Sequence, residues 1–241
     1  MEQRNTGLSN TGLSRRSVLT LGGGLLGLAA GASLWPMKSV AAAPAVSTPG
    51  SLSPEEALQR LLEGNQRFTQ HHLQHPDQSE VRLLELTQAQ HPFATVLSCA
   101  DSRVTAEIIF DQGLGDIFDV RVAGNIATPA VVGSIEYAVA LLETPLLMVL
   151  GHERCGAVTA AVDNGPLPGA MGTFVDAILP AIKPVKGQSG DAVDNAVTAN
   201  VRYQVDQLMQ SQLIRDRQAA GQLHIVGARY DLDTGTVTLV A

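Results

Sequence analysis

The chain has 241 residues, 45% of them hydrophobic and only 4% aromatic, so a single domain with an aliphatic core is expected beyond the N-terminal segment. The formal net charge is −7; residues 1–43 carry +3 (Arg4, Arg15, Arg16 and Lys38 against Glu2), which leaves −10 on the rest. An acidic domain is a poor match to a phosphate backbone, so no nucleic-acid partner is expected. Past the N-terminal segment there is no long charge run, low-complexity tract or internal repeat.

Ser14-Arg15-Arg16-Ser17-Val18-Leu19 resembles the twin-arginine export signal. An apolar stretch follows from Val18 to Leu34, loosened by Gly22, Gly23, Gly24, Gly27 and Gly31. Ser39-Val40-Ala41-Ala42-Ala43-Pro44 is a small-residue run suited to cleavage after Ala43. Residues 1–43 are therefore expected to be a signal peptide, with the mature chain periplasmic or otherwise exported. The membrane is then involved only through the signal. An uncleaved anchor is the alternative, because the apolar run is nearly long enough to cross a bilayer. The glycines and the Ala-x-Ala site favour a signal. Residues 44–52 read as a Pro/Ser/Gly linker and 53–241 as the folded domain.

Ser53-Pro54-Glu55-Glu56 predicts a helix start, with Ser53 as N-cap and Glu56 closing a capping box. The helix runs to about Phe68 with Leu58, Leu61 and Leu62 on one face. His71, His72 and His75 follow in a polar stretch and read as solvated surface histidines. A second helix is predicted over Glu80–Gln88. Phe93–Ser98 reads as a buried strand, Val104–Phe110 as a brief helix and Asp116–Val122 as a second strand. Pro129 opens a helix to Leu142, with Val132, Ile135, Val139 and Leu142 on one face. Pro145–Leu150 is a third, wholly apolar strand, and Cys155–Val162 a helix directly after it. Asp191–Met209 is a long amphipathic helix. Leu223–Ala228 and Thr236–Val240 are the last strands, joined through Asp233-Thr234-Gly235. Alternating strands and helices predict an α/β fold with a central, mainly parallel sheet flanked by helices.

The only two cysteines fall in two short motifs, Cys99-Ala100-Asp101-Ser102-Arg103 and His152-Glu153-Arg154-Cys155. Together they supply two thiolates, an imidazole and a carboxylate, a tetrahedral set of the kinds zinc takes. Both follow predicted strands, where open α/β sheets place their sites. If the first and third strands are close neighbours, the motifs meet. Cys155, opening a helix, also gains from the positive end of its dipole. A disulfide is the competing reading of the pair. A redox role is weak, because Cys-x-x-Cys is missing.

These motifs, with Ala123-Gly124-Asn125, Ser134-Ile135-Glu136-Tyr137-Ala138 and Gly156 after Cys155, resemble the β-class carbonic anhydrases. The resemblance is dense over 90–163 and weaker to the C-terminus. It implies that 53–241 is a catalytic domain with one Zn2+ per subunit, hydrating carbon dioxide reversibly to bicarbonate. It implies a homodimer or higher even oligomer. Cys99, His152 and Cys155 would be permanent zinc ligands. Asp101 would be a conditional fourth, kept off the metal when Arg103 holds it, and Asp101 and Arg103 would be the catalytic dyad. Gln90, Phe118, Tyr137 and Gly156 would contact substrate, the first three across a subunit interface. Gln90 as a surface residue, and Phe118 and Tyr137 as ordinary core, are the plainer alternatives. One departure is visible: Val122 stands where the family often has asparagine.

Two further readings compete. One is hydrolysis of carbon disulfide or carbonyl sulfide, found on close relatives of this fold. The other is a non-catalytic zinc-binding envelope protein with Asp101 locked on the metal. The intact Asp101–Arg103 pair speaks against the second. Twin-arginine export moves folded proteins, so a thiolate–zinc centre could be loaded in the cytoplasm and reach an oxidising compartment intact.

Overall fold

The computed structural model describes residues 52–241. The expected signal peptide and all but the end of the expected linker lie outside the described residues. Leu52, placed in the linker, packs against the core. Helix α1 (Pro54–Thr69) starts as its sequence dictates: the Glu56 N–H donates to Ser53 Oγ, and Glu56 accepts from the Ser53 N–H. Its buried stripe is Ala57, Leu61, Gly64 and Asn65. The expected Leu58–Leu61–Leu62 face is thus rotated, with Leu62 only half-buried. The rotation follows from Asn65, which turns inward to bond backbone at Ile109, Gly235 and Val237.

Five strands follow: β1 (Ala94–Ser98), β2 (Ile117–Arg121), β3 (Leu146–His152), β4 (His224–Tyr230) and β5 (Val237–Leu239). Their order is β2-β1-β3-β4-β5, with the first four parallel and β5 antiparallel to β4. Every residue of β1 and β3 is buried, as apolar strands covered on both faces should be. α1 and α3 (Ala106–Ile109) cover one face through Leu61, Ile109 and Phe110. α4 (Pro129–Leu141), α7 (Ala192–Leu208) and α8 (Gln212–Ala219) cover the other through Ile135, Val201 and Ile214. A third apolar cluster caps the C-terminal strand ends. It joins Cys99 and Cys155 to α5 (Gly156–Asp163), α6 (Gly172–Ile182) and α7.

The chain order reverses between β1 and β3, with β2 on one side and β4 on the other. Ser98 pairs with Leu150, so Cys99 and His152 leave neighbouring strands at the same end. This crevice is where open α/β sheets bind ligands.

Most predicted elements are present with shifted ends. α2 (Glu80–Leu86) stops two residues early, with the Thr87 hydroxyl bonded to the Leu84 carbonyl. β3 continues through His152, two residues past its apolar run, because its pairing with β4 continues through Tyr230. His152 is therefore the last residue of the strand. Gly151 is required there: a Cβ would stand 2.5 Å from Val201 Cγ2 of α7. α6 and α8 are not anticipated by the sequence pattern. α6 begins at glycine and contains Pro180, both poor helix signals. α8 is mostly polar with only Ile214 buried, and Ser211 caps it immediately after α7. Among the described residues, no helix is long and apolar enough to cross a membrane.

Candidate metal centre

Cys99 follows β1, His152 ends β3, and Cys155 is the N-cap of α5. The three are buried, and one ligand atom from each lies within 4.8 Å of the others. The sulfurs are 3.9 Å apart and unbonded, so the pair is two free thiols rather than a disulfide. Two sulfurs each about 2.3 Å from a tetrahedral zinc ion would sit ~3.8 Å apart. His152 Nδ1 is 2.9 Å from the Glu153 carbonyl oxygen and donates to it. That bond puts a proton on Nδ1 and leaves Nε2 as the ring atom a metal would take. Nε2 is buried and has no hydrogen-bond partner. A buried lone pair without a donor, beside two thiols at this spacing, fits zinc in both donor type and geometry.

The electrostatics agree. The hydrogen bond from the Cys155 thiol lowers Cys99 to about 4, and the Gly124 N–H, 3.3 Å from its sulfur, adds to this. Cys155 is pushed up by the same bond and by burial. Cys99 is thus the thiol that ionises more readily, and a cation bound by both sulfurs would displace the proton that Cys155 keeps. The N–H groups of Ala157 and Val158 at the start of α5 pull Cys155 the other way, as its N-cap place predicts.

Asp101 stands beside this cluster. Arg103 Nε donates to its Oδ1 at 2.9 Å and Arg103 Nη2 to its Oδ2 at 2.7 Å. The Arg103 N–H donates to Oδ1 as well. This planar fork holds the Asp101 carboxyl well below the usual carboxylate range. Asp101 Oδ2 is 3.9 Å from His152 Nε2. The carboxylate is thus closed on Arg103 at the edge of the Cys–His–Cys cluster, not within it.

Two supports carry no obvious sequence signal. Arg121 donates to the carbonyls of Asp101 (2.7 Å) and Cys99 (3.3 Å), tying the edge strand to the ligand loop. Gly124, at φ +74, turns its N–H onto the Cys99 sulfur. Buried Asn200 of α7 holds the Gly124 carbonyl, and Gln204 in turn donates to Asn200. Of these residues only Gly124 falls in a motif the sequence singles out, Ala123-Gly124-Asn125. Val122 packs its side chain against two apolar clusters, while its backbone continues the β1–β2 pairing. An aliphatic residue is therefore accommodated there.

Of the remaining expected site residues, Gly156 directly follows Cys155 at the start of α5, while Gln90, Phe118 and Tyr137 lie away from this chain's own cluster. Gln90 is exposed in the loop after α2. Phe118 and Tyr137 pair across β2 and α4, with ring centroids 6.1 Å apart. Tyr137 is 45% exposed, so it is not ordinary core. Phe118 pairs with Thr95, four residues before Cys99, and so stands ~13 Å along the strand from its own chain's cysteine. Gly156 is exposed, and a Cβ there would meet nothing within 4 Å. His71, His72 and His75 are exposed, as expected.

The family model for carbonic anhydrase matches residues 94–237. The chain belongs to the carbonic anhydrase family. It is 45% identical over 192 residues to carbonic anhydrase 2 of Mycobacterium tuberculosis, covering 78% of this chain and 93% of that protein. Among solved structures it is similar to the β-carbonic anhydrase CcaA (29% identity, TM-score 0.61, 76% of this chain and 94% of that one). It shares its fold with two tetrameric β-carbonic anhydrases of Sordaria macrospora (23% identity, TM-score 0.63, 76% and 96%). The membership is therefore to the β class.

Proposed function

We propose that this chain is a zinc carbonate dehydratase that hydrates carbon dioxide reversibly to bicarbonate and a proton. The observation that carries the proposal is the buried Cys99–His152–Cys155 cluster at the sheet's switch point, with Asp101 held by Arg103 beside it. Zinc supplies, when bound there, a water acidic enough to act as a nucleophile near neutral pH. The chain's own residues do the rest. Cys99, His152 and Cys155 hold the ion, and Glu153 keeps the His152 proton on Nδ1. Arg103 keeps Asp101 ionised and turned away from the cluster, which leaves one side of the site free for substrate. Arg121 fixes the loop that carries both Cys99 and Asp101. Gly156, with its backbone open at the start of α5, offers an N–H to a substrate oxygen.

The oligomer is at least a homodimer, in keeping with tetrameric proteins of this fold. α2 buries none of its residues in its own chain, and Val81, Leu83 and Leu84 are more than half exposed. A seven-residue helix is not stable alone in water, so a second copy covering it is the simplest support. Gln90 and the Phe118–Tyr137 pair are then assigned to the facing subunit's pocket. Residues 1–43 are assigned as a cleaved twin-arginine signal, on the strength of Arg15-Arg16, the apolar stretch and the small-residue run before Pro44.

Stopped-flow hydration assays on purified protein test the activity. The expected result is a rate well above buffer that tracks zinc content at about one ion per chain. A zinc-replete sample showing only the buffer rate refutes it. Carbonyl sulfide on the same preparation tests the sulfur-substrate alternative. Replacing Arg15 and Arg16 by lysine should keep precursor in the cytoplasm, and normal processing of that variant would overturn the export assignment.

A further inference from the structure

The four-residue stretch His152-Glu153-Arg154-Cys155 spans two of the three metal-site residues, and its middle pair is held from outside. The Glu153 N–H donates to the Tyr230 carbonyl (3.0 Å), and the Glu153 carbonyl accepts from His152 Nδ1. The Glu153 carboxylate accepts from Arg229 Nη2 at 2.5 Å and from the Leu232 N–H at 3.3 Å. Arg229 also reaches Asp194 of α7. Arg154 sits at φ +49, a backbone region that non-glycine residues enter only at a cost. Its guanidinium is clamped by both oxygens of Asp233, at 2.9 and 2.8 Å. Both grips come from the end of β4 and the turn after it. Buried Asn65 of α1 ties that turn down in its own right, bonding the Gly235 carbonyl and the Val237 N–H.

The carboxylates of Glu153, Asp231 and Asp233 lie within 4.8 Å of one another. Each is already engaged, by Arg229, by turn N–H groups or by Arg154. The cluster therefore acts as a brace rather than as a second cation site. We propose that Glu153, gripped by Arg229 and the Leu232 N–H, is a positioning residue for the metal centre. It locks the peptide whose carbonyl sets the His152 tautomer and ring orientation, while the Arg154–Asp233 clamp keeps Cys155 in register. The proposal rests on zinc being held by Cys99, His152 and Cys155.

The test is the zinc dissociation constant of the purified protein, measured by competition with a chromogenic chelator. Groups that orient a metal-binding histidine typically contribute 10–100-fold in affinity. Glu153→Ala and Arg229→Met should each weaken zinc binding by about that factor, and the double variant by no more than the worse single one. Glu153→Gln keeps one acceptor oxygen, enough for Arg229 but not for the longer Leu232 N–H bond to the second oxygen, and should weaken zinc binding less than Glu153→Ala does. A merely structural role would lower the unfolding midpoint in excess chelator yet leave the zinc affinity of the folded protein unchanged. Zinc affinity within about two-fold in both single variants overturns the proposal. If the alanine variant at Glu153 fails to fold, Asp233→Ala on the exposed turn, which removes both acceptors of Arg154, replaces it, with weakened zinc binding expected and unchanged binding refuting. An original chain that binds no zinc would instead sink the carbonic anhydrase reading itself.

Discussion

Asp119 on the edge strand β2 carries a cost that pH should reveal. Its side chain is 14% exposed and has two neighbours of use, the Ser98 hydroxyl at 3.4 Å and Arg121 at 4.0 Å. Burial, helped by the negative charge of Glu107 on α3, raises it from the ordinary 3.8 to about 6. A raised acid binds its proton more tightly in the folded than in the unfolded state. Stability therefore falls as pH rises from about 4 to 6 and stays reduced above that. A proton held about a hundred-fold more tightly corresponds to a loss of about 3 kcal/mol at neutral pH. Asp119→Asn removes the charge and keeps an amide beside Ser98, but gives up the weak attraction to Arg121. A net gain of about 2 kcal/mol near pH 7.5 is expected, shrinking to a few tenths near pH 4. For a domain of this size that is a rise in Tm of about 4–8 °C. Thermal or urea unfolding of both proteins across this range measures it. The metal centre is the same in both, so its own pH dependence cancels in the difference. An asparagine variant that is equally stable or less stable near pH 7.5, or a gap that does not change with pH, refutes the reasoning.

Arg103→Ala removes two side-chain hydrogen bonds from Asp101 and frees its carboxylate to swing toward the cluster. Carbon dioxide hydration should fall by at least about ten-fold at neutral pH, an activation difference near 1.4 kcal/mol, with zinc content unchanged. Unaltered activity would show that Arg103 does not hold the site open. Leu84→Glu places a charge on the uncovered face of α2 and should shift the protein toward smaller species in sedimentation; an unchanged oligomer refutes the use of α2 as an interface. Ser53→Ala breaks the capping box of α1 and should cost about 1 kcal/mol in urea unfolding. A change below a few tenths would mean that Pro54 and the buried stripe alone set the helix start.

The parts legible in the chain are those in which local chemistry dominates. Ser53-Pro54-Glu56 sets a helix start within a few residues, and no distant contact is needed to do it. The wholly apolar run before His152 and the mostly apolar one before Cys99, broken only by Thr95 and Ser98, announce buried parallel strands, because strands covered on both faces leave little room for polar side chains. Two cysteines, a histidine and an aspartate in two motifs point to a metal site by residue type alone. α6 could not be anticipated, since Gly172 and Pro180 argue against a helix until it packs on α5 and α7. Nor could the rotated face of α1, which depends on a bond from Asn65 to a turn 170 residues away.

The sequence by itself therefore determined the donor set, the class of fold and the family. All three depend on residue type and short spacing. Tertiary structure decided the working state of the site. It placed β1 beside β3, so that 56 residues of chain close to a sulfur separation of 3.9 Å. It left His152 Nε2 buried and unpartnered while its Nδ1 proton went to Glu153. It closed Asp101 on Arg103, and it drew Arg121, Arg229 and the β4–β5 turn around the ligands. None of these is a local preference. Each pairs groups that meet only once the sheet has formed, where low dielectric makes a satisfied polar contact strong and an unsatisfied one expensive.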